Sequence, residues 1–197
     1  MEHSELIKKC QMDNSEEFNE LYKLYGQKAF RTACFIAGNT QLAEDIVQEA
    51  FTQCFLEIKN LKNPDYFNSW FYSILVRLGW KMSGKCKKVQ LNETSIFEIE
   101  FLKSNENTED LLLRKEIHEK VNEALQELNI TLRTTVILYY YNQLSIKEIS
   151  VIMNCFQGTV KSRLHTARKH IGKTLDRYMN TDFSGITNFE KGCLNNE

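Results

Sequence analysis

Apolar residues recur at helical spacing along almost the whole of this 197-residue chain, and this periodicity is the feature that most restricts its fold. In the segment EEFNELYKLYGQKAF, Phe18, Leu21, Tyr22 and Tyr25 lie at positions i, i+3, i+4 and i+7, which places them on one side of a helix. Proline, which interrupts helices, occurs once, at Pro64, and no segment alternates as a half-buried strand does. We therefore predict an all-α protein.

The periodicity stops in the middle of the chain, where acidic and polar residues replace the apolar stripe. Six acidic residues lie between Glu93 and Asp110, with Lys103 as the single base among them. This composition predicts two small helical domains, at 15–88 and 111–178, joined by a flexible acidic linker at 89–110. A polar tail at 179–197 has no periodicity, and we expect it to be frayed.

Nothing in the sequence predicts export, a membrane span or a metal site. The first residues lack the apolar region of a signal peptide, and no apolar run approaches the ~20 residues that span a bilayer. The six cysteines form no CxxC pair, and none has a histidine at metal-ligand spacing. We expect an intracellular protein with reduced cysteines and without a metal or cofactor, in which Cys34 and Cys54 are small core residues.

The segment QLSIKEISVIMNCFQGTVKSRLHTARK, residues 143–169, predicts two short helices around a tight turn. Ser145 is a good N-cap, and Glu148 three residues later completes a capping box. Asn154 falls where the turn needs a left-handed residue, a conformation that Asn tolerates. The second helix has an apolar side, formed by Val160, Leu164, Ala167 and Ile171. The pattern is typical of a helix-turn-helix, whose second helix lies in the major groove of DNA.

The opposite, polar side of the second helix supplies the candidate DNA contacts. Free N–H groups at its start suit a nearby phosphate, and basic residues follow. The candidates are Gly158, Thr159, Lys161, Ser162, Arg163, His165, Arg168 and Lys169. An ordinary helical hairpin with a solvated basic face explains the segment about equally well when it is considered alone.

Longer stretches resemble a known family. GTVKSRLHTARKHIGKTL resembles the end of region 4 of the extracytoplasmic-function (ECF) sigma factors, and ALQELNITLRTTVILYYYNQLSIKEISVIM resembles the rest of that region. The chain departs from the family pattern at Asn129 and Phe156, where the family often has proline. It departs again at Thr166, where arginine is frequent.

A second resemblance lies in the first half of the chain. AEDIVQEAF resembles the region 2 helix with which sigma factors hold the clamp helices of RNA polymerase. One polar face of this helix, able to pair with arginines, carries Asp45, Gln48, Glu49 and Thr52. FNSWFYSILVRL resembles region 2.3, although Arg77 and Lys81 replace a typical asparagine and aspartate. NPDYFNSWFYSILVR further resembles the sigma-V-like envelope-stress branch of Bacillus-like bacteria.

The resemblance implies a transcription initiation factor without a catalytic site, which binds core RNA polymerase and directs it to the −10 and −35 elements of promoter DNA. It also implies an anti-sigma factor, often membrane-anchored, that holds this cytoplasmic protein, and no small-molecule substrate. For the −10 element we predict a base pocket in the loop 60–69 and phosphate contacts after it. The candidates are Tyr66, Phe67, Asn68, Arg77, Lys81, Lys85, Lys87 and Lys88, whereas Trp70 and Phe71 are expected in the core.

Two other classes of function are alternatives. A stand-alone regulator of the response-regulator effector type shares the LS-x-KEI and TVK pattern, but that class lacks AEDIVQEAF. An enzyme is disfavoured because the chain has no Gly-rich phosphate loop and no nucleophile-and-base spacing, and its four histidines lack partners.

Overall fold

The computed structural model of the protein describes residues 3–12, 15–84 and 120–193, with side chains for 4–12, 16–84 and 120–176, and these residues are almost entirely helical. The first half contains α1 (His3–Cys10), α2 (Ser15–Ala37), α3 (Thr40–Glu57) and α4 (Phe67–Ser83). The second half contains α5 (120–127), α6 (Ile130–Val136), α7 (Ile146–Ile152) and α8 (Gln157–Cys193). The all-α prediction is confirmed, whereas the predicted linker at 89–110 lies outside the described residues.

The junction between α2 and α3 is fixed by two neighbouring residues. Gly38 has a φ of 67° and its N–H donates to the carbonyl of Cys34 at 2.8 Å, which ends α2 in a left-handed cap. Asn39 then caps α3, because its side-chain oxygen accepts from the N–H of Leu42 at 2.7 Å. This turn lets α3 fold back on α2, and α4 completes a three-helix bundle.

Aromatic rings fill the centre of this bundle. Phe67 and Phe71 of α4 are fully buried and stack with their centroids 5.7 Å apart. Tyr25 of α2 and Phe51 of α3 meet Phe71 at centroid distances of 5.9 and 4.9 Å. Each such ring buries a large apolar area, so this cluster is the main source of stability in the first half. Cys34 and Cys54 are also fully buried, as predicted, and burial raises the pKa of the Cys54 thiol to about 12.

The short helix α7, of seven residues, has a hydrogen-bonded cap at each end. The predicted capping box is confirmed, since the N–H of Glu148 donates to the Ser145 hydroxyl at 3.2 Å and the Glu148 carboxylate accepts from the Ser145 N–H at 2.8 Å. At the other end of α7, Asn154 has a φ of 46°, which confirms the predicted left-handed turn residue. Hydrogen bonds from Cys155 to the Ser150 carbonyl and from Asn154 to that of Val151 complete a Schellman motif.

Asn129, which replaces the usual proline, has a defined role at the start of α6. Its side-chain oxygen accepts from the N–H of Leu132 at 3.0 Å, so it is an N-cap. At the far end, Ile137–Tyr141 forms a π-helical turn that directs the chain into α7.

The two halves are in contact in this structure. α4 packs against α7, and α2 packs against α6 and the π-helical turn. Several hydrogen bonds cross the contact. Among them, Trp80 Nε1 donates to Thr134 Oγ1 at 3.0 Å, an Arg133 guanidinium nitrogen donates to the Ile36 carbonyl at 2.8 Å, and Asn142 Nδ2 donates to Thr32 Oγ1 at 3.0 Å. Most buried apolar residues of the two halves also belong to one cluster, and a smaller second cluster is formed by Leu125, Leu128, Val136 and Ala167.

The last helix is longer than the sequence predicts. The backbone of α8 remains helical to Cys193, so most of the tail that was expected to fray belongs to this helix. Glycine at 172 and 185 and a run of polar residues remove the apolar stripe from this part of the sequence, although neither prevents helical backbone geometry. Among the described helices, none combines the length and the apolar composition that crossing a membrane requires.

Candidate functional site

The polar face of α3 is the first candidate surface. Its four predicted residues, Asp45, Gln48, Glu49 and Thr52, are all exposed and line one shallow groove with Leu78, Lys81 and Met82 of α4. The opposite side of α3 is held in the core by Ile46, Val47, Ala50 and Phe51. The structure therefore brings together all four residues of the predicted polymerase contact.

The hydrogen bonds on this face leave its carboxylates available. The Thr52 hydroxyl donates to the Gln48 carbonyl at 2.8 Å, and the Gln53 amide donates to Glu49 at 2.9 Å. Neither Asp45 nor Glu49 forms an ion pair with any residue that the structure describes. Two exposed carboxylates without a cationic partner, next to an amide and a hydroxyl, are suited to arginine side chains of another protein.

The second candidate surface is the turn between α3 and α4. Tyr66 has 65% of its surface exposed, in a 3-10 turn, Pro64–Tyr66, that is fixed by a hydrogen bond from the Asp65 N–H to the Asn63 side chain at 3.0 Å. Asn68 is half-buried, and the Tyr25 hydroxyl donates to its side-chain oxygen at 2.6 Å. Burial raises the pKa of Tyr25, so its hydroxyl stays protonated as a donor. The amide nitrogen of Asn68 then points away from this bond.

Phe67 requires a correction. It was predicted to contact DNA, but the structure places it in the core with none of its surface exposed. The reason is local, since Pro64 begins a helical turn that runs directly into α4 and brings Phe67 onto the buried side. Phe71 is buried as predicted, and Trp70 is half-buried.

The basic residues after this turn divide into two groups. Arg77 and Lys81 are exposed, one turn apart on α4, and Arg77 Nε donates to the Ser73 carbonyl at 3.1 Å. Lys81 also lines the groove beside Asp45 and Glu49, so it lies between the two candidate surfaces. Lys85, Lys87 and Lys88 lie outside the described residues.

The third candidate surface is the exposed side of α8. Gly158, Lys161, Ser162, His165, Arg168 and Lys169 are exposed, whereas Thr159 and Arg163 are half-buried. Arg163 lies against sulfur atoms, with a guanidinium nitrogen 3.6 Å from Cys155 Sγ. The residues from 156 to 175 include five lysines and arginines and no acidic residue. This face is therefore uniformly basic and suited to a phosphate backbone.

Two contributors were missed by the sequence patterns. Gln11, just after α1, donates from its amide to the carbonyls of Ile58 and Leu61 at 2.9 and 2.8 Å, and so fixes the start of the turn that carries Tyr66. No local pattern reveals this contact, because the partners are about fifty residues apart. Phe156, directly before α8, has 87% of its surface exposed. The sequence contains one indication of this residue, because the ECF family often has proline at the position of Phe156.

Known proteins match this chain along both of its halves. The family model for Sigma-70 region 2 matches residues 21–79, and that for Sigma-70 region 4 matches residues 118–171. The RNA polymerase sigma factor SigV of Bacillus subtilis is 32% identical over 164 residues, which cover 83% of this chain and 87% of that protein. The RNA polymerase sigma-H factor of Pseudomonas aeruginosa is 28% identical over 178 residues, covering 87% and 92%. ECF sigma factor SigW of Bacillus subtilis is 27% identical over 176 residues, covering 86% and 94%.

Solved structures show the same fold. CnrH, in complex with the cytosolic domain of CnrY, superposes with a TM-score of 0.67 at 17% identity, covering 89% of this chain and 97% of that chain. RpoE from Bartonella quintana, in complex with the anti-sigma factor NepR, superposes with a TM-score of 0.62 at 18% identity, covering 82% and 98%. With both family regions matched in order and a relative above 30% identity along most of its length, the chain belongs to the ECF group of the sigma-70 family and is a transcription initiation factor.

Proposed function

We propose that this sigma factor binds core RNA polymerase through the polar face of α3 and directs it to promoters with two separate DNA-reading surfaces. The observation that carries the proposal is a pair of exposed carboxylates, Asp45 and Glu49, that form no ion pair with the described residues, in the same chain as a basic helix-turn-helix. A stand-alone regulator needs the second feature but has no use for the first.

The −10 element is assigned to the turn between α3 and α4 and to the exposed bases of α4. Tyr66 can stack on an unpaired base, an interaction worth roughly 1–3 kcal/mol. The Asn68 amide, oriented by Tyr25, is a donor for a base edge, and Arg77 and Lys81 supply positive charge for phosphates. Further phosphate contacts are proposed from the sequence alone, at Lys85, Lys87 and Lys88.

The −35 element is assigned to α8. Residues near its first turn, Lys161 and Ser162, reach base edges, while Arg168 and Lys169, about two turns later, meet phosphates. Gly158 and Thr159 at the helix start, with Arg163 and His165 on its flanks, complete the surface. Apart from its neighbours in the chain, no atom of the described residues lies within 4 Å of a Cβ added at Gly158, so there is space for the DNA backbone there.

The domain boundaries follow from the same assignment: 15–88 for polymerase and −10 binding, 111–178 for −35 binding, and 89–110 between them. The protein has no catalytic site of its own in this proposal and works in the cytoplasm. The two solved structures described above are complexes, one with the anti-sigma factor NepR and one with the cytosolic domain of CnrY. By analogy, a cognate anti-sigma factor, often membrane-anchored in this family, is a third partner beside polymerase and promoter DNA.

The test is the affinity of the full chain for core polymerase. The double variant Asp45→Lys with Glu49→Lys replaces two carboxylates that face arginines, so we expect roughly tenfold or greater weakening, with an unchanged melting temperature. The matched control is Glu16→Lys with Glu123→Lys, which makes the same change of net charge at exposed positions elsewhere. Equal polymerase affinity of the two double variants would refute the assignment of α3.

A further inference from the structure

Phe156 is the most exposed large apolar side chain of the described residues, with 87% of its surface in contact with solvent. It is not an isolated residue on a flexible loop. The Schellman motif that ends α7 precedes it directly, and its carbonyl accepts from the N–H groups of Thr159 and Val160 at 2.9 and 3.2 Å. Phe156 is therefore the N-cap of α8, and its backbone is fixed from both sides.

A phenylalanine at this position violates two local preferences. N-caps favour Ser, Thr, Asp or Asn, whose side chains accept a hydrogen bond from the first turn, and Phe cannot do so. A phenyl ring also favours burial, and this one is left in water although Ile149 and Ile152 bury their side chains in the core next to the turn. Residues that break local rules without a gain inside the fold are most often found at functional sites.

The surroundings define the chemistry of the partner. The five cations and the absence of acids between residues 156 and 175 suit a polyanion, and the exposed ring beside them suits an apolar group on that polyanion. In the major groove of duplex DNA the only apolar group on a base edge is the C5-methyl group of thymine, and phenylalanine is among the side chains that contact it. The N-terminal end of a recognition helix is the part that reaches base edges.

We propose that the Phe156 ring packs against the C5-methyl group of one thymine in the −35 element and makes that base pair a specificity determinant. This inference rests on the proposed role of α8. Lys161, one turn into the helix, forms a polar contact with a neighbouring base. Phe156 instead recognises a base pair at the edge of the −35 element, and it does so through the thymine methyl group and not through a hydrogen bond.

The experiment uses holoenzyme reconstituted from the full chain and core polymerase, with a promoter selected from a random −35 pool. Each −35 thymine is then replaced in turn by uracil, which removes only the methyl group. With the unaltered protein we expect about a fourfold loss of affinity at one position, the value for burying one methyl group. Phe156→Ala should bind the thymine promoter about fourfold more weakly and show no further loss with uracil at that position.

Two control variants separate this inference from the function on which it rests. Val151→Ala removes another exposed apolar side chain, on α7, and should keep the uracil effect unchanged. Lys161→Ala should weaken promoter binding but keep the uracil effect. If Lys161→Ala binds all −35 variants like the unaltered protein, the assignment of α8 fails as a whole.

Three results would overturn the Phe156 proposal while leaving α8 as the −35 reader. The first is a selected −35 element that contains no thymine. The second is that Phe156→Ala still shows the full loss of affinity for promoter DNA when uracil replaces thymine. The third is that Phe156→Ala weakens binding to core polymerase in the absence of DNA. The last result identifies the ring as a contact to protein instead.

Discussion

The polar face of α3 and the basic face of α8 are built in different ways. α3 has 18 residues and stands on a core of aromatic rings, with a carboxylate and amide surface on its exposed side. α8 carries a cationic surface and is positioned by α7, a helix of seven residues with a hydrogen-bonded cap at each end. The polar face of α3 is thus supported by a core of aromatic rings. The basic face of α8 is supported by a smaller set of buried aliphatic residues, such as Val160, together with the caps of α7, so different substitutions should damage the two faces.

The largest expected effect is that of a charge among the buried apolar residues of the second half. Val160→Asp places a carboxylate at a fully buried position beside Ile149, and an unpaired buried charge costs on the order of 4 kcal/mol or more. We expect α5–α8 to lose their fold while the aromatic bundle of α2–α4 persists, seen as a partial loss of the helical circular dichroism signal. Lys161→Asp, at the adjacent exposed position, should keep the full signal. Complete unfolding by Val160→Asp would show that the two halves have no separate stability.

Lys161→Ala and Lys169→Ala divide the basic face into two functions. Lys161→Ala should cost about 1–3 kcal/mol on the preferred promoter and relax discrimination at one or two base pairs. Lys169→Ala should weaken all promoters equally and reduce the salt slope of binding by roughly one unit. The measurement is transcription from a −35 mutant series at two salt concentrations. Identical behaviour of the two variants would make α8 an electrostatic anchor without base recognition.

The smallest expected effects are those of removing the N-caps of α7 and α3. Ser145→Ala removes the capping box of α7, and Asn39→Ala removes the cap of α3, so each should lower the free energy of unfolding by about 1 kcal/mol. Because α7 positions α8, only Ser145→Ala should also reduce promoter binding by the holoenzyme. Ser162→Ala, at an exposed position on α8, should change stability by less than ~0.5 kcal/mol. Equal loss of promoter binding with Asn39→Ala would contradict this separation.

The features that the sequence predicted correctly depend on neighbours within one or two turns. The capping box, the left-handed Asn154 and the polar face of α3 each involve residues at most seven positions apart, so their spacing alone determines the geometry. The prediction for Phe67 was wrong because the sequence predicted a loop at 60–69. In the structure a 3-10 turn begins at Pro64 and leads directly into α4, and the proline alone does not show where the helix begins. The Gln11 and Arg133 contacts join residues 47 to 97 positions apart, and no periodicity reports on such pairs.

The hydrogen bonds between the halves also have a consequence for promoter binding. Elements named −10 and −35 are 25 base pairs apart, or roughly 85 Å along B-form DNA, so two surfaces on touching halves cannot occupy both elements together. The bonds from Arg133 to Ile36 and from Trp80 to Thr134 must therefore open first. The apparent affinity for promoter DNA is then the intrinsic affinity multiplied by the fraction of molecules with separated halves. Each 1.4 kcal/mol by which the contact favours the joined state lowers the apparent affinity of the free protein for promoter DNA about tenfold. A partner that holds the halves apart restores this affinity.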